Sequence, residues 1–213
     1  MTGIMVKKRS EIHLARRFWH ALAGIMLLIP YFVWDAKLLY LGIFSFAFSL
    51  VGFFFDFKRQ ANERLNKRFQ SFFMPIMRRS EIDSFSGIPF YALGVALSCF
   101  LYNEHIAVIS ILFLIFADPI ASIVGVYLSK GRIFPNKTLE GTIACFVVCF
   151  FVVIFYCRVF DFTEEAFIPF ALLAAIAGAV AELLSAFNID DNFTIPVVAG
   201  GLMTILNSCF LIF

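Results

Sequence analysis

Charge is scarce in this chain: Asp, Glu, Lys and Arg make up 15% of its 213 residues, against about a quarter in soluble domains. That shortage excludes an ordinary water-soluble globule, which interrupts its apolar runs with polar faces. Several familiar catalytic signatures are missing as well. There is no GxxxxGKS or GxxxxGKT run, which excludes a P-loop kinase, and no HExxH, GxSxG or GxGxxG. The five cysteines (Cys99, Cys145, Cys149, Cys157, Cys209) lie in or beside apolar segments without the His-assisted spacing of a metal site, so packing explains them. No internal repeat, low-complexity tract or separate soluble segment is evident.

What is present is long apolar sequence. Hydrophobic residues reach 62% and Phe alone numbers 30, and several uncharged stretches approach the ~20 residues that cross a bilayer as a helix. The pattern predicts an all-α integral membrane protein with about seven spans, at 18–34, 38–55, 85–101, 106–128, 141–157, 166–187 and 193–213. The first span follows basic residues but precedes no small-residue cleavage site, so it reads as an uncleaved helix. The whole chain, 1–213, is expected to be one membrane-embedded domain, with a basic N-terminus (1–17) and a basic, partly amphipathic segment (58–79) along the membrane surface.

Net charge is only +2, yet of the 17 Lys and Arg residues all but Lys37 and Arg158 fall on one side of this topology. The positive-inside rule therefore predicts a cytosolic N-terminus and an external C-terminus. Three ionisable residues fall within spans: His20, Asp118 and Glu182. Such residues are expensive in a bilayer and mark function by default, and all three lie towards the cytosolic side. The plainer alternative for each is a buried polar group bonded to a neighbouring helix.

The densest chemistry is DPIASIVGVYLSKGRIFPNKTLEG (118–141). Asp118-Pro119 predicts a break or kink within the span 106–128 and frees a carbonyl at membrane depth. Ala121, Ser122 and Gly125 are small enough for close helix approach or a ligand. Lys130, Arg132 and Lys137 then share a short loop with Gly131 and Pro135, close to Asp118 and Glu140. Cations for phosphate oxygens beside carboxylates for a divalent metal suit a nucleoside triphosphate, although a loop can be basic merely to obey the charge rule. A second acidic group, NIDDNFTIP (188–196), offers Asp190, Asp191 and Asn192 as hard oxygen ligands for Mg²⁺, or alternatively a helix cap.

Three blocks together resemble the CTP-dependent lipid kinase family, which includes dolichol kinase, phytol kinase and the yeast-type diacylglycerol kinase. They are EIHLARRFWH (11–20), with Arg17 where the family often has Lys; the 118–141 block, with Ser129-Lys130-Gly131 where Gly-Lys is usual; and Glu182 followed by IDDNFTIP. The resemblance implies transfer of the γ-phosphate of CTP, or another nucleotide, to the hydroxyl of a membrane lipid alcohol such as diacylglycerol or a polyprenol. It implies Mg²⁺ or another divalent cation and no nucleic acid, while the short length suggests a plasma membrane of bacterial type and the charge bias a site on the cytosolic face. Lys130, Arg132 and Lys137 would bind triphosphate, with Arg16, Arg17, Gly125 and Gly131 assisting. Asp118, Glu182, Asp190 and Asp191 would hold metal or position the hydroxyl, with Asp118 the first candidate base and Glu140 the second. His20 and Asn192 fall inside the matched blocks. Two readings compete. A phosphatidate cytidylyltransferase would also join CTP to a lipid, but the GGxxDRxD core expected of it is missing. A transporter would show repeated halves.

Overall fold

A computed structural model describes residues 2–213 except 75, 76, 79, 80, 130, 135, 136, 163–165 and 188, with side chains from Leu14 onward. Lys130 and Pro135 therefore lie outside the described residues, as do Arg79, Glu164, Glu165 and Asn188 and the side chains of Lys7, Lys8, Arg9 and Glu11. The described chain is helical: α1 (Thr2–Trp34), α2 (Leu38–Gln60), α3 (Glu63–Phe73), α4 (Gly87–Leu101), α5 (Glu104–Leu112), α6 (Asp118–Tyr127), α7 (Leu139–Val159), α8 (Phe167–Leu184) and α9 (Asp191–Phe210).

Polar residues set the helix starts. Asn62, Asn103, Thr138 and Asp190 precede α3, α5, α7 and α9, and each accepts backbone N–H bonds from the first turn. Between these punctuation marks the sequence is apolar, and six helices are long and apolar enough to cross a membrane. The third expected span, 85–101, is realised as the shorter α4. Its 15 residues extend about 22 Å at 1.5 Å per residue, less than the ~30 Å hydrocarbon core.

The span Glu104–Tyr127 is the centre of the bundle: 67% of its apolar window is buried, against 22% for α1 and for α2. Around it, α4 packs between α2 and α9, while α8 packs between α7 and α9. Helix α1 rests mainly on the middle of the central span and barely touches α2. The amphipathic α3 turns back beneath α2, with Phe69 against Phe55 (ring centroids 5.4 Å apart).

The central span is not regular. Residues Phe113–Ala117 form a π-helical turn, in which Asp118 N–H donates to Phe113 O. In that register the carbonyl of Leu114 would look to residue 119, which is proline and has no N–H. The expected break at Asp118-Pro119 thus takes the form of a widened turn that leaves a carbonyl free inside the bundle.

Candidate active site

The freed carbonyl is taken by α1: His20 Nε2 donates to Leu114 O at 3.1 Å. One residue past the π turn, Asp118 opens α6 with its Oδ2 3.9 Å from the same nitrogen. Asp118 faces a polar cleft of about 460 Å³, a volume within the range of small-ligand sites. Arg78, Arg132, Lys137, Glu182 and Asp191 also line it. The 73 positions between Asp118 and Asp191 are closed by the packing of α6 on α7, α7 on α8 and α8 on α9.

Each acid but one in this group is matched to a cation. Lys137 Nζ lies 2.7 Å from Glu182 Oε1, and Thr142 Oγ1 donates to Glu182 Oε2 at 3.1 Å. Burial works against the charge of Lys137, but Glu182, Asp191 and Asp118 outweigh it and hold the ammonium protonated. Arg78 grips Asp191 in a forked pair at 2.8 and 3.0 Å and reaches Asp190 at 3.5 Å. Burial opposes that charge as well, and the two aspartates more than offset it. Asp190 caps α9 by accepting from Asn192 N–H at 3.0 Å. Burial and the neighbouring Asp191 push its carboxyl up to about 6.

Against this cleft lies a second cavity of about 580 Å³ with a mainly apolar lining, bounded by α1, α2 and α4. Trp19, Phe44, Phe48 and Phe55 are among its walls, and the loose seam between α1 and α2 leaves it open to the side that would face lipid. The cavities share a partition. His20 and Asn192 line the groove, whereas Asp118, 3.9 Å from His20, and Asp191, the residue before Asn192, line the cleft.

Arg78 was not legible as a site residue, since in sequence it is one cation of a basic surface segment. Its placement depends on a network that was equally hidden. Arg59 is fully buried and donates to Asp56 (2.6 Å), Asn66 (3.0 Å) and the carbonyls of Glu81 (2.9 Å), Ile82 (3.1 Å) and Ser84. Asp56 in turn accepts from Ser86 N–H and Oγ–H at 2.7 and 2.9 Å. Glu81 accepts from Arg78 N–H at 3.1 Å and from Arg16 Nη1 at 2.9 Å. The available signal was an acid and an arginine three residues apart at the end of an apolar run.

The other expected residues are distributed as follows. Arg16 lines the apolar groove, and Arg17 is buried with its Nη1 unpartnered. Gly125 lines the cleft, where a Cβ would come 2.8 Å from Thr138 Oγ1. On the facing helix a Cβ at Gly141 would lie 2.9 Å from the carbonyl of Ala121. These glycines let α6 and α7 close on one another. Gly131 is exposed with nothing near it, and Glu140, in the first turn of α7, does not line the cleft. Among the described residues no three His, Cys, Asp or Glu side chains form a ready metal cage. Asp118 and Asp191 facing one cleft do fit the way Mg²⁺ is commonly held, by one or two carboxylates completed by substrate phosphates and water.

Fold and site together define an all-α integral membrane protein in which a charged cleft meets an apolar groove. Comparison with known proteins gives the class a closer relation. The chain is 35% identical over 142 residues to CTP-dependent diacylglycerol kinase 1 of Schizosaccharomyces pombe, covering 62% of this chain and 65% of that one. It is 27% identical over 156 residues to the protein of the same name from Saccharomyces cerevisiae, covering 63% and 53%. A Rickettsia prowazekii protein described as uncharacterized is 25% identical over 186 residues, covering 85% of this chain and 88% of its own. The chain spans between 45% and 65% of the length of the kinases it matches. No family model matches and no solved structure matches. The kinase matches support the CTP-dependent lipid kinase family to which the three sequence blocks pointed.

Proposed function

We propose that this chain is a membrane lipid kinase that transfers the γ-phosphate of CTP to the hydroxyl of a lipid alcohol, with diacylglycerol the first candidate. The observation that carries the reading is the shared partition: Asp118, facing the charged cleft, lies 3.9 Å from His20, which lines the apolar groove. A donor in the cleft and a lipid in the groove would meet there. The positive-inside bias puts this end of the bundle in the cytosol, where CTP is found.

On this reading the triphosphate enters the cleft, where Lys137, Arg78 and Arg132 neutralise its oxygens, helped by Lys130. The lipid enters sideways between α1 and α2 with its hydroxyl towards Asp118. The hydroxyl oxygen attacks the γ-phosphorus, the bond from that phosphorus to the β,γ-bridging oxygen breaks, and CDP leaves. Asp118 takes the hydroxyl proton. A divalent cation carried with the triphosphate would supply charge neutralisation at the β and γ oxygens, held by Asp118 and Asp191. Phosphoryl transfer depends mostly on positioning and charge stabilisation, so this set of residues suffices.

The test is phosphate transfer by detergent-purified protein, with Mg²⁺ and CTP labelled at either the α or the γ position, onto diacylglycerol, undecaprenol or phytol. Label from γ in the lipid, reduced about 10²-fold or more by Asp118→Asn, supports the kinase. Label from α would make the chain a cytidylyltransferase, and no transfer to any lipid would overturn the proposal.

A further inference from the structure

The apolar groove has a charged end and a closed end. On α1 its walls are Arg16, Trp19, His20, Ala23 and Leu27, and on α2 they run from Asp56 down to Phe44. The α1 positions recur every three or four residues, so they form one face of the helix. At 1.5 Å per residue that face descends about 16.5 Å from Arg16 to Leu27, and the α2 wall about 18 Å. The walls are open rather than packed: Trp19, Phe48 and Val51 are 51%, 50% and 66% exposed. Arg16, Asp56 and Glu81 gather at one end, and His20 lies one helical turn further in. Beyond His20 come Ala23 and Leu27 of α1, with Phe44 and Phe48 of α2.

The closed end has a structural cause. Only residues 35–37 join α1 to α2, and Ala36 N–H donates to Pro30 O at 3.1 Å. So short a connection holds these ends of the two helices together. Here Leu28 and Leu38 belong to the packed core, 2% and 8% exposed. A Cβ at Gly42 would meet Phe100 of α4 at 2.7 Å, so α2 is pressed on α4 as well. Among the described residues none between 28 and 43 lines the groove. The gap between α1 and α2 is thus a wedge that opens at the charged end and stops at Leu27 and Phe44.

We infer that the groove holds only the first part of the acceptor's hydrocarbon chain, to about the eighth carbon from the hydroxyl, and that Leu27 turns the remainder out sideways into the bilayer. With the hydroxyl at His20, the seven residues down to Leu27 leave about 10.5 Å. Carbon–carbon bonds of ~1.5 Å advance an extended chain by about 1.25 Å each, which fills that distance with about eight carbons. The inference rests on the lipid kinase reading for the position of the hydroxyl, and it adds the residues that set how much of the tail is recognised. Tails that differ only beyond that carbon are accepted alike, and bulk before it is discriminated.

The experiment uses detergent-purified full-length protein without nucleotide, and octadecan-1-ol carrying a nitroxide ring at carbon 5, 7, 10, 12 or 16. Two readouts are taken: displacement of radiolabelled octadecan-1-ol, and nitroxide mobility in the part of the electron spin resonance spectrum that excess diacylglycerol displaces. Rings at carbons 5 and 7 are expected to be immobilised, or to weaken displacement by about tenfold through overpacking. Rings at 12 and 16 are expected to displace as the unlabelled alcohol does and to remain mobile. Ala23→Phe raises the floor by four residues, about 6 Å, so the ring at 7 becomes mobile. Leu27→Ala lowers the floor, so the ring at 10 becomes immobilised. A general loss of packing cannot move the boundary in both directions. Absence of displaceable binding, five rings that behave alike, or a boundary unmoved in either folded variant overturns the inference. A boundary that moves as described upholds it, even where no phosphate is transferred from CTP and the kinase reading fails.

Discussion

Replacing Arg59 by Met tests whether the loop that carries Arg78 is held as described. Met keeps most of the volume and removes every donor. In the native protein Arg59 is 0% exposed and its guanidinium serves Asp56, Asn66 and three backbone carbonyls. After the change Asp56, itself 1% exposed, keeps only its two bonds from Ser86, and its charge is left buried without a cation. Breaking a buried pair by removing one partner costs about 3–5 kcal/mol. For a chain of this length each kcal/mol moves the midpoint by about 2–4 °C, so the drop is roughly 6–20 °C. The assay is thermal unfolding of detergent-purified protein. Asp56→Asn is measured alone and in combination, and the double variant should recover at least about 1 kcal/mol relative to the sum of the singles. Transfer activity well below the midpoint should fall too, because Arg78 loses its anchor. A midpoint within 2 °C of wild type, or strictly additive losses, would refute the reasoning.

Other expectations follow from the same geometry. Lys137→Met should abolish transfer and lower the unfolding midpoint, since it strands Glu182. Adding Glu182→Gln should restore most of the midpoint but none of the activity, as read by the same two assays. Gly141→Ala should cost about 1–3 kcal/mol in thermal unfolding, because its Cβ would press on a backbone carbonyl 2.9 Å away. The carboxyl of Asp190, pushed up to about 6 by burial and by Asp191, is ionised and able to hold Arg78 above that value and neutral below it. Transfer measured against pH should therefore decline as pH falls through about 6, and Asp190→Asn should flatten that limb.

The architecture was legible because its signal is additive over many residues. Apolar runs and one-sided cations predicted a helical membrane protein, and the expected break at Pro119 is real. Span 85–101 was harder, because composition reports apolarity and not whether a helix runs the full membrane thickness. Asp118, Lys137, Glu182 and Asp191 were found as ionisable residues in apolar or acidic contexts, and the fold gathers them. Glu140 and Gly131 looked equivalent in sequence, but helical phase turns the first away from the cleft and the second sits on an exposed turn. Arg78, Arg59 and Asp56 were missed for the opposite reason. Their meaning lies in partners 22 to 113 positions away, which no local pattern records.

The carbonyl left free by the π turn has a consequence for proton traffic. A carbonyl can only accept, so the nitrogen of His20 that meets Leu114 must carry a hydrogen, and the imidazole is fixed as one tautomer. Nδ1 is then the single position at which this ring can gain or lose a proton while the bond stands. A relay that shuttles a proton in through one ring nitrogen and out through the other would have to break the contact that seats α1 on the bundle. In the proposed mechanism His20, whose Nε2 lies 3.9 Å from Asp118 with its hydrogen held by Leu114, therefore carries no proton between substrates, and that step stays with the carboxylate.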